Sequence, residues 1–153
     1  DRICEQVGAL LYRRTPPEKY ATAFLGAFDP ETGALSWTNA GHNPALLLRA
    51  SGPPEWLKAS GVPLGLLPGA RYARKETVME PGDALLVYTD GITEALNPED
   101  EEFGEARLVE AAARHAHLPL RELAAGLERE LDAFARGVPF HDDRTLVIVR
   151  RSR

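Results

Sequence analysis

Two groups of carboxylates stand at the ends of apolar runs. Asp90 follows Ala84-Leu85-Leu86-Val87-Tyr88, and Asp142-Asp143 comes just before Leu146-Val147-Ile148-Val149. A carboxylate beside a core strand must be paired, hydrogen-bonded or metal-bound, because burying it bare is costly. If the two runs are neighbouring strands, one ending where the other begins, the three aspartates meet at one sheet edge. An all-oxygen cluster of that kind suits a hard cation such as magnesium or manganese. Glu94, four residues after Asp90, would return alongside it on a short helical turn and offers a further ligand. A plainer reading uses the same residues. Asp-Gly is a common tight-turn dipeptide, an Asp pair can cap a turn before a strand, and Glu94 can be a solvated turn carboxylate. Spacing alone leaves both open.

Other chemistry finds less support. His42, within Asn39-Ala40-Gly41-His42-Asn43-Pro44, offers a general acid near neutral pH or is simply a hairpin histidine. Gly61-Val62-Pro63-Leu64-Gly65 lacks the lysine and the following helix of a phosphate loop. No Gly-x-Ser-x-Gly elbow is present and Cys4 has no local base, which argues against a side-chain nucleophile. Trp37 and Trp56 read as core and loop packing.

The elements that must position these residues follow from periodicity. Ile3, Val7, Leu10 and Leu11 recur at helical spacing, so residues 1 to 14 read as an amphipathic helix whose pattern opens with the chain itself. Thr15-Pro16-Pro17-Glu18 ends it. Tyr20–Asp29 and Ala34–Asn39 read as strands joined by a turn at Pro30-Glu31-Thr32-Gly33. Ala45–Arg49 is a third short strand, 51–69 mostly loop, and Arg71–Val78 a more exposed strand before a tight turn at Pro81-Gly82-Asp83. Ala84–Tyr88 and Thr145–Arg150 are apolar on both faces, as buried strands are. Between them come helices at about Glu105–His115, with Leu108, Val109 and Ala112 inward, and over Leu120, Leu123, Leu127, Leu131 and Phe134, ended by Gly137-Val138-Pro139. Hairpins first and paired helices late predict an α+β class with antiparallel sheet.

Composition narrows the classes further. The chain has 153 residues, 44% hydrophobic and 27% charged, which suits a single domain. Its net charge of −5 argues against a general nucleic-acid or anionic-membrane surface. The one cysteine cannot form an internal disulfide or a thiolate zinc site. No apolar run approaches the ~20 residues of a membrane span, and no signal peptide opens the chain. The expected setting is the cytoplasm.

A series of short motifs carries a resemblance. Thr22-Ala23-Phe24, Asp29-Pro30-Glu31-Thr32-Gly33, Asn39-Ala40-Gly41-His42-Asn43-Pro44 and Pro63-Leu64-Gly65 appear in order. Pro81-Gly82-Asp83, Tyr88-Thr89-Asp90-Gly91-Ile92-Thr93-Glu94-Ala95, Phe103-Gly104 and Asp142-Asp143-Arg144-Thr145 complete it. The series, from about Tyr20 to Arg150, resembles the bacterial branch of the PPM (protein phosphatase 2C) serine/threonine phosphatases, of the SpoIIE/RsbU type.

The resemblance implies a four-layer αββα sandwich of two antiparallel sheets flanked by helices. It implies two manganese or magnesium ions and a metal-bound water as the attacking group, with no catalytic side chain of its own. Asp90 and Asp142 match metal-binding aspartates of the family, with Asp143 beside the latter. Glu94 falls where some relatives place a carboxylate for a weaker third ion. Asn39, Gly41, His42 and Gly91 match structural positions. The implied substrate is a phosphorylated signalling protein, such as a STAS-type anti-sigma-factor antagonist, with a sensor or receiver domain upstream. One departure is plain: the family's N-terminal Asp-Gly-x-Gly-His motif is absent, since the only Asp-Gly is Asp90-Gly91. Residues 1–153 are therefore expected to be a single partial domain, and a non-catalytic interaction module is the competing expectation.

Overall fold

The computed structural model describes residues 1–16 and 18–152. Eleven elements follow one another: α1 (Arg2–Arg14), β1 (Ala23–Phe28), β2 (Ala34–Ala40), β3 (Ala45–Leu48), β4 (Glu55–Leu57), β5 (Lys75–Val78), β6 (Ala84–Tyr88), α2 (Asp90–Thr93), α3 (Gly104–His115), α4 (Leu120–Ala135) and β7 (Leu146–Arg150). The strands form two sheets, ordered β1-β2-β5 and β4-β3-β6-β7, and the pairs β1–β2, β2–β5, β3–β6 and β6–β7 are antiparallel. The α+β class with two antiparallel sheets is as expected. The chain divides into two compact units, one of Asp1–Ala45 with Trp56–Glu80, the other of Leu46–Glu55 with the chain from Pro81 onward.

In the first unit, β1 and β2 form a hairpin from Ala23↔Ala40 to Phe28↔Leu35. Asp29 organises its turn: its carboxylate accepts from the amide of Glu31 (2.9 Å), and its carbonyl accepts from Gly33 N–H (2.8 Å). The expected strand from Arg71 shortens to β5, because Tyr72 leaves the ladder and joins a core cluster with Cys4, Ala40 and Leu64. The same cluster corrects the reading of α1. Cys4, Gly8 and Leu11 face it, while Ile3 and Leu10 stay 60% and 49% exposed and Val7 is exposed too. Bulk alone favours the Ile3-Val7-Leu10 stripe. The small side chains of Cys4 and Gly8 instead let the helix lie close to Leu64 and Gly65. The stretch 51–69 also holds β4, too short for a periodic signal and preceded by Pro53-Pro54.

In the second unit, β6 is central and buried at four of its five positions. β7 is an outer strand paired with β6, and Val147 and Val149 are 52% and 40% exposed. This corrects the expectation of burial on both faces: an apolar run without alternation does not reveal which sheet edge it occupies. α4 buries Leu123, Leu127 and Leu131 along one stripe, each contributing roughly 1.5–3 kcal/mol. α3 buries Leu108, Ala111 and Ala112, with Val109 only partly covered. Arg114 and His115 of α3 reach Glu130 of α4, His115 Nε2 lying 3.1 Å from its carboxylate. α4 ends with Arg136 in the left-handed region, just before Gly137.

Asp83, expected only as a turn residue, is 1% exposed. Arg49 donates to its carboxylate at 2.7 Å and the Ala50 amide does so at 2.7 Å. Burial alone would lower the Arg49 guanidinium, but its hydrogen bonds to Asp83 and Glu55 carry its pKa above the ordinary value. This pair fastens the β6 entry to the end of β3.

Candidate functional site

The β6–β7 ladder builds the site. Its register runs from Ala84↔Arg150 to Tyr88↔Leu146, and the amide of Thr89 extends it by donating to the Thr145 carbonyl at 3.1 Å. Asp90 then opens α2, so it stands at the same end of the ladder as the segment that leads into β7. Gly91 is buried, and a Cβ there would fall 2.7 Å from the Asp143 carbonyl oxygen and 3.1 Å from that of Asp142. Only a residue without a side chain permits this approach. The helical turn of Asp90 and the Asp142–Asp143 backbone therefore meet, as adjacent strands require.

The carboxylates themselves are open to solvent: Asp90, Glu94, Asp142 and Asp143 are all exposed. Asp90 Oδ1 accepts from Gly91 N–H (3.0 Å), and Asp142 Oδ1 accepts from Asp143 N–H (2.8 Å). The amide of Glu94 closes the turn on the Asp90 carbonyl at 2.8 Å. Burial thus does not force these groups to find a partner. What marks Asp90, Asp142 and Asp143 is that their backbone segments meet at one end of the ladder.

The donors are oxygens alone, which is the chemistry of a hard divalent cation. Their number falls short: among the described residues no group of three or more His, Cys, Asp or Glu side chains is gathered to hold a metal. The donor atoms are right in kind for such a cation, and their count is short of what one needs.

Asn39, Gly41 and His42 lie in the first unit. Asn39 is fully buried. Its Oδ1 accepts from His42 N–H (2.8 Å), and its Nδ2 donates to the carbonyls of Asn43 and Leu57, each at 3.3 Å. Gly41 has φ +67°, and a Cβ would fall 2.6 Å from the Pro63 ring, so glycine is required twice over. His42 Nδ1 lies 3.2 Å from the Thr22 hydroxyl.

Two further residues shape the aspartate edge without having been singled out by sequence. Thr89 hydrogen-bonds the segment after Asp142. Arg144 lies 3.5 Å over the Phe140 ring and 3.3 Å from Asp132 of α4. Their only sequence signal is adjacency to the aspartates. Beside them, Ile92, Phe103, Leu127, Leu131, Arg144 and Leu146 contribute to a largely apolar cavity of about 440 Å³.

Two antiparallel sheets with helices, and aspartates at one end of the β6–β7 ladder, belong to a chain whose fold is that of the phosphatase 2C class. The family model for stage II sporulation protein E (SpoIIE) matches residues 1–152, and the chain belongs to that family. It is 34% identical over 133 residues to protein IcfG of Synechocystis sp. (strain ATCC 27184 / PCC 6803 / Kazusa), covering 87% of this chain and 21% of that protein. It is 20% identical over 151 residues to the phosphoserine phosphatase RsbU of Bacillus subtilis (strain 168), covering 98% of this chain and 44% of RsbU. The chain thus spans less than half the length of either relative. The structure of the RsbU and RsbW domains of Rv1364c from Mycobacterium tuberculosis matches with a TM-score of 0.75 at 29% identity, over 94% of this chain and 40% of that one.

Proposed function

We propose that this chain is part of a single PPM-type protein serine/threonine phosphatase domain that hydrolyses phosphoserine or phosphothreonine on a signalling protein. The observation that carries the reading is the meeting of Asp90 with the Asp142–Asp143 segment at one end of the β6–β7 ladder, in a SpoIIE-family chain. Asp90, Asp142 and Asp143 would hold manganese or magnesium, with Glu94 at a weaker outer position. Two such ions, when bound, would supply an activated water for attack on phosphorus and offset the charge of the phosphoryl oxygens. Gly91 brings the two aspartate segments together, and the Asn39–His42 hairpin keeps its shape through Asn39. The substrate we favour is a STAS-type anti-sigma-factor antagonist, with a sensor or receiver domain elsewhere in the same polypeptide. The setting is the cytoplasm, which suits the free thiol of Cys4. Among the described residues no helix is long and apolar enough to cross a membrane.

The test is hydrolysis of a phosphoserine peptide and an aryl phosphate with manganese. The 153-residue chain should turn over little, for want of a further bridging ligand. A longer polypeptide carrying an Asp-Gly-x-Gly-His segment ahead of Asp1 should hydrolyse both and lose most of its rate on Asp142→Asn. Robust turnover surviving Asp142→Asn would place the chemistry elsewhere. The incomplete donor count favours a second reading, a non-catalytic interaction module built on the phosphatase fold. An inert longer polypeptide with that segment intact would select it.

A further inference from the structure

The Thr89 hydroxyl is spent in an unexpected direction. Thr89 is the N-cap of α2, where a threonine oxygen ordinarily accepts from an amide two or three residues ahead. No such cap bond is made. The hydroxyl instead donates to the Asp143 carbonyl at 2.9 Å and accepts from the Thr145 amide at 2.9 Å. With the backbone bond from Thr89 N–H to the Thr145 carbonyl, one residue holds the segment 143–145 at three points.

No other contact described for that segment does the same. The regular ladder stops at Tyr88↔Leu146. Arg144 ties the segment to Asp132 and Phe140, away from Asp90. Gly91 removes a steric bar but supplies no attraction through a side chain. We infer that Thr89 is a positioning residue: its hydroxyl sets the Asp142–Asp143 segment against Asp90 and so tunes the affinity of that edge for a hard divalent cation. The inference rests on the reading of this edge as the cation-binding end of the phosphatase fold. Outer-sphere groups that orient ligands typically change metal affinity by about 10–100-fold when removed. Both hydroxyl bonds lie at the exposed surface, so the freed carbonyl and amide can turn to water and the fold need not suffer.

The experiment compares the 153-residue chain with Thr89→Val, Thr89→Ala, Thr89→Ser and Asp90→Asn. Manganese is titrated by calorimetry, and exchange of the Thr145 amide is followed by NMR. Val and Ala should weaken manganese binding about tenfold or more and speed Thr145 exchange, with melting temperature nearly unchanged. Ser should restore both. Having two deletion variants guards against one that fails to fold. Equal affinity in the Val and Ala variants, with binding abolished by Asp90→Asn, overturns the positioning role and leaves the site reading intact. Unchanged Thr145 exchange overturns it as well. Absence of manganese binding to the unaltered chain, or binding indifferent to Asp90→Asn, overturns the site reading and the inference built on it.

Discussion

Gly91 and Asp143 are in backbone contact so close that a single methyl group at 91 would lie 2.7 Å from the Asp143 carbonyl oxygen. Two segments more than fifty residues apart are registered by the absence of a side chain. Gly91→Ala should therefore push the Asp142–Asp143 segment away from Asp90. We expect a loss of about 1–3 kcal/mol in stability, the usual range for overpacking, together with weaker manganese binding. Urea unfolding and a manganese titration check the two effects; an alanine variant equal to the parent in both would deny the contact its importance.

The Arg49–Asp83 pair gives a sharper stability prediction. Asp83 is almost fully buried, and Arg49 is its cationic partner. Removing one side of such a pair takes a charge partner from a buried group, at up to roughly 3–5 kcal/mol. Asp83→Ala and Arg49→Ala should each approach that cost, and the double variant should cost well below the sum of the two. Additive losses in denaturant midpoints would mean the two residues act independently.

The orientation of α1 can be tested by contrast. Ile3 is exposed, so Ile3→Ser should change stability by less than about 0.5 kcal/mol. Gly8 faces Tyr72 and the Leu64–Gly65 backbone, so Gly8→Leu should cost on the order of 1–3 kcal/mol or more. Thermal melts that reverse this order would restore the Ile3-Val7-Leu10 face to the core.

Acid should loosen the α3–α4 pair. The Arg114 hydrogen bond, followed by the nearby His115, holds the Glu130 carboxylate below its ordinary pKa. A carboxylate depressed in the folded state adds stability that is full above its unfolded pKa and fades as pH falls through the folded one. The pair is partly exposed, so the contribution is about 0.2–1 kcal/mol. Glu130→Gln should lower stability at neutral pH by that amount and flatten the decline below the ordinary glutamate range. A variant whose acid limb parallels that of the parent would remove Glu130 from the account.

How much of this was legible in the sequence differs by element. α4 declared itself because leucines repeat where a one-sided helix must place them. β6 declared itself because burial on both faces leaves no polar residue in the run. The β6–β7 pairing followed from the aspartates at corresponding ends. The inner face of α1 was hidden, since packing there depends on the smallness of Cys4 and Gly8 and hydrophobicity points the other way. The exposure of β7 was hidden as well, because edge position is a property of the sheet and not of the strand. At the candidate site, Asp90, Asp142 and Asp143 could be nominated by charge beside apolar runs. Thr89 could not, because a threonine before Asp-Gly looks like any helix cap until its partners across the ladder are seen.

The outer strand β7 has a consequence for how this polypeptide behaves in a crowded solution. A row of backbone donors and acceptors flanked by the outward valines 147 and 149 is a template on which another extended chain can grow. Made alone and at high concentration, the chain should drift toward β-rich aggregates that seed at this margin. A lysine placed at 147 would repel the incoming strand and hold the protein in solution without touching the aspartates.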